Sequence, residues 1–197
     1  SCKKTKDVSK VYDANASKIE LIGAAIYAPP AGTTSYTDPG ATFTDDDGTK
    51  TTLTTPISLP DLTTAGFYSV TYKVTSKYGY VRTATRLVLV TAVDPSIDLS
   101  GNYKRASNGH PVKITKLGPG LYKIDNVGGV PAQPAFVHDV YFGQIGPNTL
   151  AVPEQSTPQG PLHCENATVN QSGGKYSIAW IVINPSYGTA VRTFVQQ

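Results

Sequence analysis

Three histidines, two cysteines and a thin scatter of carboxylates are the groups here that could do chemistry. His138 is followed by Asp139, and His163 by Cys164 and Glu165. Those residue types can hold a metal, but adjacent residues in a strand point to opposite faces. No H-x-x-x-H, H-E-x-x-H or C-x-x-C spacing is present. His110, His138 and His163 therefore read as ordinary turn and strand histidines, with no metal or cofactor expected. Cys164 beside His163 has the composition of a nucleophile and its base, but the same alternation separates them, and no G-x-S-x-G elbow occurs. For glycoside cleavage the second half of the chain offers only Asp98, Asp125, Asp139, Glu154 and Glu165. Glu154 with Asp139 is the pair to test first. Asp45-Asp46-Asp47-Gly48 has the start of a calcium loop, yet Pro56 stands where the bidentate glutamate belongs. An acidic turn is the expected reading. These residues do not compose an active site, so a non-enzymatic role is expected.

Binding chemistry is better represented. Sugar rings present apolar faces to aromatic side chains and hydroxyl rims to Asn, Gln and acidic groups. Tyr141 and Phe142 beside the Gly- and Pro-rich stretch Gly143 to Pro161, and Tyr187 in a later turn, are candidate platforms; Gln144, Asn148 and Glu154 are candidate rim groups. Tyr78 and Tyr80 flank another turn. Trp180 has Tyr176, Ile178 and Val182 on its own strand face, which marks it as core. The stretch 143–161 reads as a long loop around a short strand, Thr149 to Val152. Long loops are often functional, but this one could equally be irregular cover over an open barrel end.

The elements that must position these residues are strands. The 197 residues carry 18 Gly, 15 Pro and only 16% charged residues, which suits all-β architecture with many tight turns. The net charge of +3, without a basic stripe, excludes a nucleic-acid partner as the expectation. No apolar run is long enough to span a bilayer. Phe67 to Thr75 alternates, with Tyr68, Val70, Tyr72 and Val74 on one face and Ser69, Thr71, Lys73 and Thr75 on the other. Ser76 to Gly79 turns it into Tyr80 to Thr91. That strand puts Arg82 and Arg86 on one face and Val81, Leu87 and Leu89 on the other. Ile19 to Gly23 and Ala41 to Thr44 are short strands. Beyond Asp94-Pro95, strands are expected over 112–116, 121–125, 135–142, 162–170, 175–183 and 190–196. Their regular spacing suggests a meander, closed as a barrel or stacked as a sandwich.

Residues of about 19 to 92 resemble a bacterial surface immunoglobulin-like module. The likeness is carried by Tyr36-Thr37-Asp38-Pro39-Gly40-Ala41-Thr42, Asp45 to Gly48, Gly66 to Val74, Gly79 and Ala84-Thr85-Arg86. It implies a seven-strand sandwich serving as spacer or adhesion unit. Residues of about 97 to 197 look like the C-terminal β-domain of two-domain lipoproteins from glycan-foraging Gram-negative anaerobes. Gly118 to Ile124 and Tyr187 to Arg192 carry that likeness, which brings no activity with it. Cys2, followed by Lys3, Lys4, Lys6 and Lys10, is similar to the start of a mature lipoprotein, lipidated at the cysteine after a secretory signal is removed. Cys164 is expected to be a free, partly buried thiol.

The resulting expectation is an all-β chain: a tether over 1–17, an immunoglobulin-like β-sandwich over 18–94 and an antiparallel meander barrel or sandwich over 95–197. Its expected role is that of a lipid-anchored outer-membrane surface protein. It would present the C-terminal domain to a glycan or an outer-membrane protein partner, without catalysis. A purely structural or adhesive component, and a hydrolase using Glu154 and Asp139, are the alternatives.

Overall fold

The computed structural model describes residues 17–131 and 133–197. Cys2 and the lysines after it lie outside the described residues. The N-terminal part is a six-stranded sandwich of two three-stranded sheets, ordered β1-β3-β4 and β2-β6-β5. Its strands are β1 Lys18–Leu21, β2 Ile26–Tyr27, β3 Ala41–Thr44, β4 Lys50–Leu53, β5 Gly66–Thr75 and β6 Val81–Val90. A seventh strand, expected from the resemblance, does not form among the described residues. β2 and β4 carry too few alternating apolar positions to be legible. β2 is two residues long and joins β6 in parallel.

β5 and β6 pair over their full ten residues, from Gly66↔Val90 to Thr75↔Val81. Gly79, at φ +88°, closes their turn by donating its N–H to the Ser76 carbonyl. The acidic turn after β3 docks on this hairpin. Asp45 accepts the N–H groups of Asp46 and Lys77, and Asp46 accepts that of Tyr78 at 3.1 Å. Asp47 accepts the Thr49 N–H and pairs with Lys77 Nζ at 3.3 Å. The three carboxylates bind turns, as the sequence reading expected.

The core between the sheets holds Ala41, Phe43, Val70, Tyr72 and Val88. It also holds Arg86, at 1% exposure, so the arginine face of β6 points inward at this position. Leu87 and Leu89, on the other face, are buried too, because the second domain covers that end of the sheet.

The C-terminal part is a closed barrel of eight antiparallel strands in sequence order. They are β7 Gly101–Arg105, β8 Pro111–Gly118, β9 Leu121–Ile124, β10 Val140–Gln144, β11 Leu150–Thr157, β12 Gly160–Ser172, β13 Lys175–Ile183 and β14 Val191–Gln196. β14 pairs β7 through Phe194↔Arg105 and Gln196↔Tyr103, which closes the ring and decides for a barrel. Eight strands enclose a space that side chains can fill. Here Trp180, Phe142, Tyr122, Phe194 and Tyr103 fill it. Phe142 lies 5.5 Å from both Tyr122 and Trp180, centroid to centroid. The apolar residues face inward while Lys104, Lys113 and Glu165 are exposed, the reverse of a membrane barrel. The loop around Asn126 to Val130 plugs one end: Trp180 Nε1 donates to the Val127 carbonyl at 2.9 Å.

Two expectations change here. The stretch 143–161 is not a long loop: its middle is β11, and only about two residues separate β11 from β12. The short strand expected over Thr149 to Val152 forms, with Leu150 and Val152 buried in the core, but it runs on past Pro153 to Thr157. The expected strand 135–142 is instead a 3₁₀ turn, Pro134–Phe136, followed by β10. Pro134 starts the turn because its fixed φ suits a first helical position.

The domains meet tightly. A Cβ on Gly143 would lie 2.3 Å from Leu89 Cδ1, so only glycine lets β6 sit against β10. Thr91 Oγ1 donates to the Gln144 carbonyl at 2.7 Å beside this contact.

Candidate functional site

A cleft of about 600 Å³ lies between the two domains. Its barrel wall carries Asp139 and Tyr141 around β10, and Glu154, Gln155 and Ser156 on β11. Its sandwich wall carries Ser69, Thr71, Thr83 and Thr85, the outward row of β5 and β6. Domain junctions are favoured ligand positions, and this volume falls in the range that holds small ligands.

Local irregularity positions the barrel wall. β10 and β11 pair at Gly143↔Ala151 and Gln144↔Leu150, and then the ladder stops. Pro153 has no N–H to donate. The Gln155 side chain takes over: its Oε1 accepts the Tyr141 N–H at 2.8 Å, and its Nε2 donates to the Tyr141 carbonyl at 2.7 Å. On the other edge of β11 the register shifts between Val152 and Gln155, a bulge containing Pro153 and Glu154. Bulges re-aim side chains. Glu154 stands exposed between the cleft and a shallower groove lined by His163 and Pro185. Asp139 is paired with Lys123 Nζ at 2.7 Å, leaving Glu154 as the wall's other carboxylate. Across the cleft, the Thr71 and Thr85 hydroxyls share a hydrogen bond at 3.0 Å.

Of the six candidate ligand-binding residues, Tyr141 and Glu154 come together here. Phe142, Gln144 and Tyr187 do not present themselves to a ligand. Phe142 is wholly buried in the barrel core. Gln144 is buried and donates to the Pro147 carbonyl at 3.2 Å. Tyr187 is buried edge-on against Phe136, at 5.0 Å between centroids. Each was placed beside or in a loop by Gly and Pro content, whereas barrel closure turns each inward. Asn148 is exposed in the β10–β11 turn and does not line the cleft. Tyr78 and Tyr80 are exposed at the β5–β6 turn. Gln155 and the Ser/Thr row were not singled out from sequence. The period-two pattern of β5 did mark Ser69 and Thr71 as one face.

The remaining reactive groups stay apart. Cys164 faces the barrel interior, where burial pushes its thiol well above the ordinary range. His163 points outward, 3.6 Å from Glu165 Oε1. Burial holds His138 below its ordinary pKa. Among the described residues no three His, Cys, Asp or Glu side chains group closely enough to hold a metal ion.

A buried polar cluster organises the sandwich. Asp38 accepts Arg86 Nε at 2.8 Å, Tyr36 Oη at 2.6 Å, Tyr72 Oη at 2.6 Å and the Gly40 N–H at 2.8 Å. Arg86 also donates to the carbonyls of Ala24, Ile22 and Gly40. Burial alone would raise the Asp38 pKa; the bonds from Arg86, Tyr36, Tyr72 and Gly40 outweigh it and bring it to about 2. The motif pieces Tyr36 to Gly40, Tyr72 and Arg86 are thus one spatial unit.

Residues 19–90 match the family model of the bacterial surface protein Ig-like domain. The cluster around Asp38 lies inside this Ig-like domain, and the domain supplies the sandwich wall of the cleft. The chain is also similar to a solved structure, the lipoprotein BT2262 from Bacteroides thetaiotaomicron. Identity is 19% over 92% of this chain and 100% of that one, with a TM-score of 0.42. No curated protein matches the chain.

Proposed function

We propose that the protein is a lipid-anchored cell-surface accessory protein that binds a glycan in the cleft between its Ig-like domain and its barrel, without catalysing a reaction on it. The observation that carries this reading is the convergence of Tyr141 and Glu154, from two barrel strands, on the hydroxyl row of Ser69, Thr71, Thr83 and Thr85. A half-buried aromatic ring offers a stacking face. A carboxylate and a line of hydroxyls offer acceptors and donors for sugar rims. The surface location is supported by the description of the domain family. The lipid anchor, with Cys2 as the residue that would carry it, is part of this proposal. The outer membrane is the proposed site of anchoring.

Glycan-array binding by the whole chain tests the cleft. Binding that falls in Tyr141→Ala and in Glu154→Gln supports it. Flat responses across a broad array, with an outer-membrane protein co-purifying, would replace it by a structural or adhesive role. Turnover of a polysaccharide abolished in Glu154→Gln would replace it by a hydrolase. Full-length protein that stays in the membrane fraction as Cys2→Ser would remove the anchor.

A further inference from the structure

We infer a second, independent binding site for neutral sugar rings on the Ig-like domain, in the groove between Tyr27 and Tyr36. The groove is about 410 Å³. Tyr27 and Tyr36 form its aromatic wall, with ring centroids 6.5 Å apart and 34° between planes. Tyr27 is 41% exposed, on a strand too short to bury it. Pro29 and Pro39 extend the apolar surface, and the exposed Ser35 and Thr37 place hydroxyls on its rim.

The occupant follows from charge. Among the described residues, Arg86 is the one charged group lining the groove. Its guanidinium is held by Asp38 and three backbone carbonyls, with both side chains of the ion pair 1% exposed. Neutralised by Asp38 and almost wholly covered, it presents no free counter-charge to a carboxylate or phosphate. A charged ligand would lose its hydration here without gaining a counter-charge. A flat, uncharged molecule with apolar faces and a hydroxyl edge loses little and gains contact with two rings. A pyranose ring has that form, and the bent tyrosine pair can serve neighbouring rings of one chain. Two sites on one frame would also strengthen binding to a polymer without new contacts at either.

The test is NMR titration of the ¹⁵N-labelled whole chain with maltohexaose, cellohexaose and mannohexaose, alongside hexagalacturonate and a proline decapeptide. The expected result is amide shifts at Tyr27, Ser35 and Thr37 with at least one neutral hexasaccharide and weaker ones with hexagalacturonate. Affinity should fall roughly tenfold in Tyr27→Ala, one aromatic contact's worth, and be retained in Tyr27→Phe. Tyr141→Ala should leave these shifts in place. No groove shift with any neutral hexasaccharide overturns the site, as do groove shifts produced by the proline decapeptide alone. Shifts confined to the surroundings of Tyr141 and Glu154 would sink this inference and leave the cleft standing.

Discussion

Asp38 and Arg86, far apart in sequence, meet at 2.8 Å between the two sheets, each side chain 1% exposed. A turn residue and a strand arginine together neutralise one another in the core of the Ig-like domain. Replacing one leaves the other as an unpaired buried charge. Arg86→Met and Asp38→Ala are each expected to destabilise the domain by about 3–5 kcal/mol. The double replacement should cost less than the sum of the two. Chemical denaturation of the three variants measures this.

Acid should reveal the same pair. Asp38 titrates at about 2 in the folded domain against an ordinary 3.8. A carboxyl depressed on folding stabilises above its unfolded pKa. That contribution is therefore whole above about pH 4 and drains as pH falls toward 2. Asp38→Asn should flatten this limb of the stability profile, read by thermal melts across pH 2 to 6.

At the alkaline end the buried tyrosines act in the opposite sense. Burial, with hydrogen bonding to Asp38, raises Tyr72 to about 12; burial raises Tyr122 and Tyr187 to about 12 as well. Their stabilising contribution is present below pH 10 and lost as pH rises from 10 to 12. Phenolate absorbance should lag for these rings and then appear together with unfolding.

The junction rests on a missing methyl group. Gly143→Val would push a side chain into Leu89, which is fully buried. The domain contact should weaken by about 1–3 kcal/mol, the usual range for overpacking. Small-angle scattering should show a longer particle, and glycan binding in the cleft should fall although neither Tyr141 nor Glu154 is changed.

Gln155 is a positioning residue for Tyr141. Gln155→Ala removes both hydrogen bonds to the Tyr141 backbone, leaving its N–H without that partner at a cost of about 1–3 kcal/mol. Amide exchange at Tyr141 should accelerate and cleft binding weaken. Binding in the Tyr27 groove should stay unchanged.

The sequence was legible where local patterning agreed with burial. Alternation over 67–75 foretold the inward face of β5, with Val70 and Tyr72 buried. Face-mates of Trp180 foretold its place in the core. The reading failed where Gly and Pro dominate, because those residues punctuate bulges and strand ends as well as loops. The extension of β11 from Pro153 to Thr157 is hidden for that reason, and Phe142, Gln144 and Tyr187, all beside Gly- or Pro-containing turns, read as surface residues although they are buried. Arg86 shows a further difficulty. An arginine in an alternating strand looks solvated unless its carboxylate partner, here on a distant loop, is already in view.

By itself, then, the amino-acid order determined the all-β class and the principal hairpins, because turn chemistry and strand period are properties of neighbouring residues. Tertiary structure decided barrel over sandwich, the pairing of Asp38 with Arg86 and the meeting of Tyr141, Glu154 and the Ser/Thr row in one cleft. Those depend on strand register and on how two domains dock. They join residues dozens of positions apart through packing that no local pattern records.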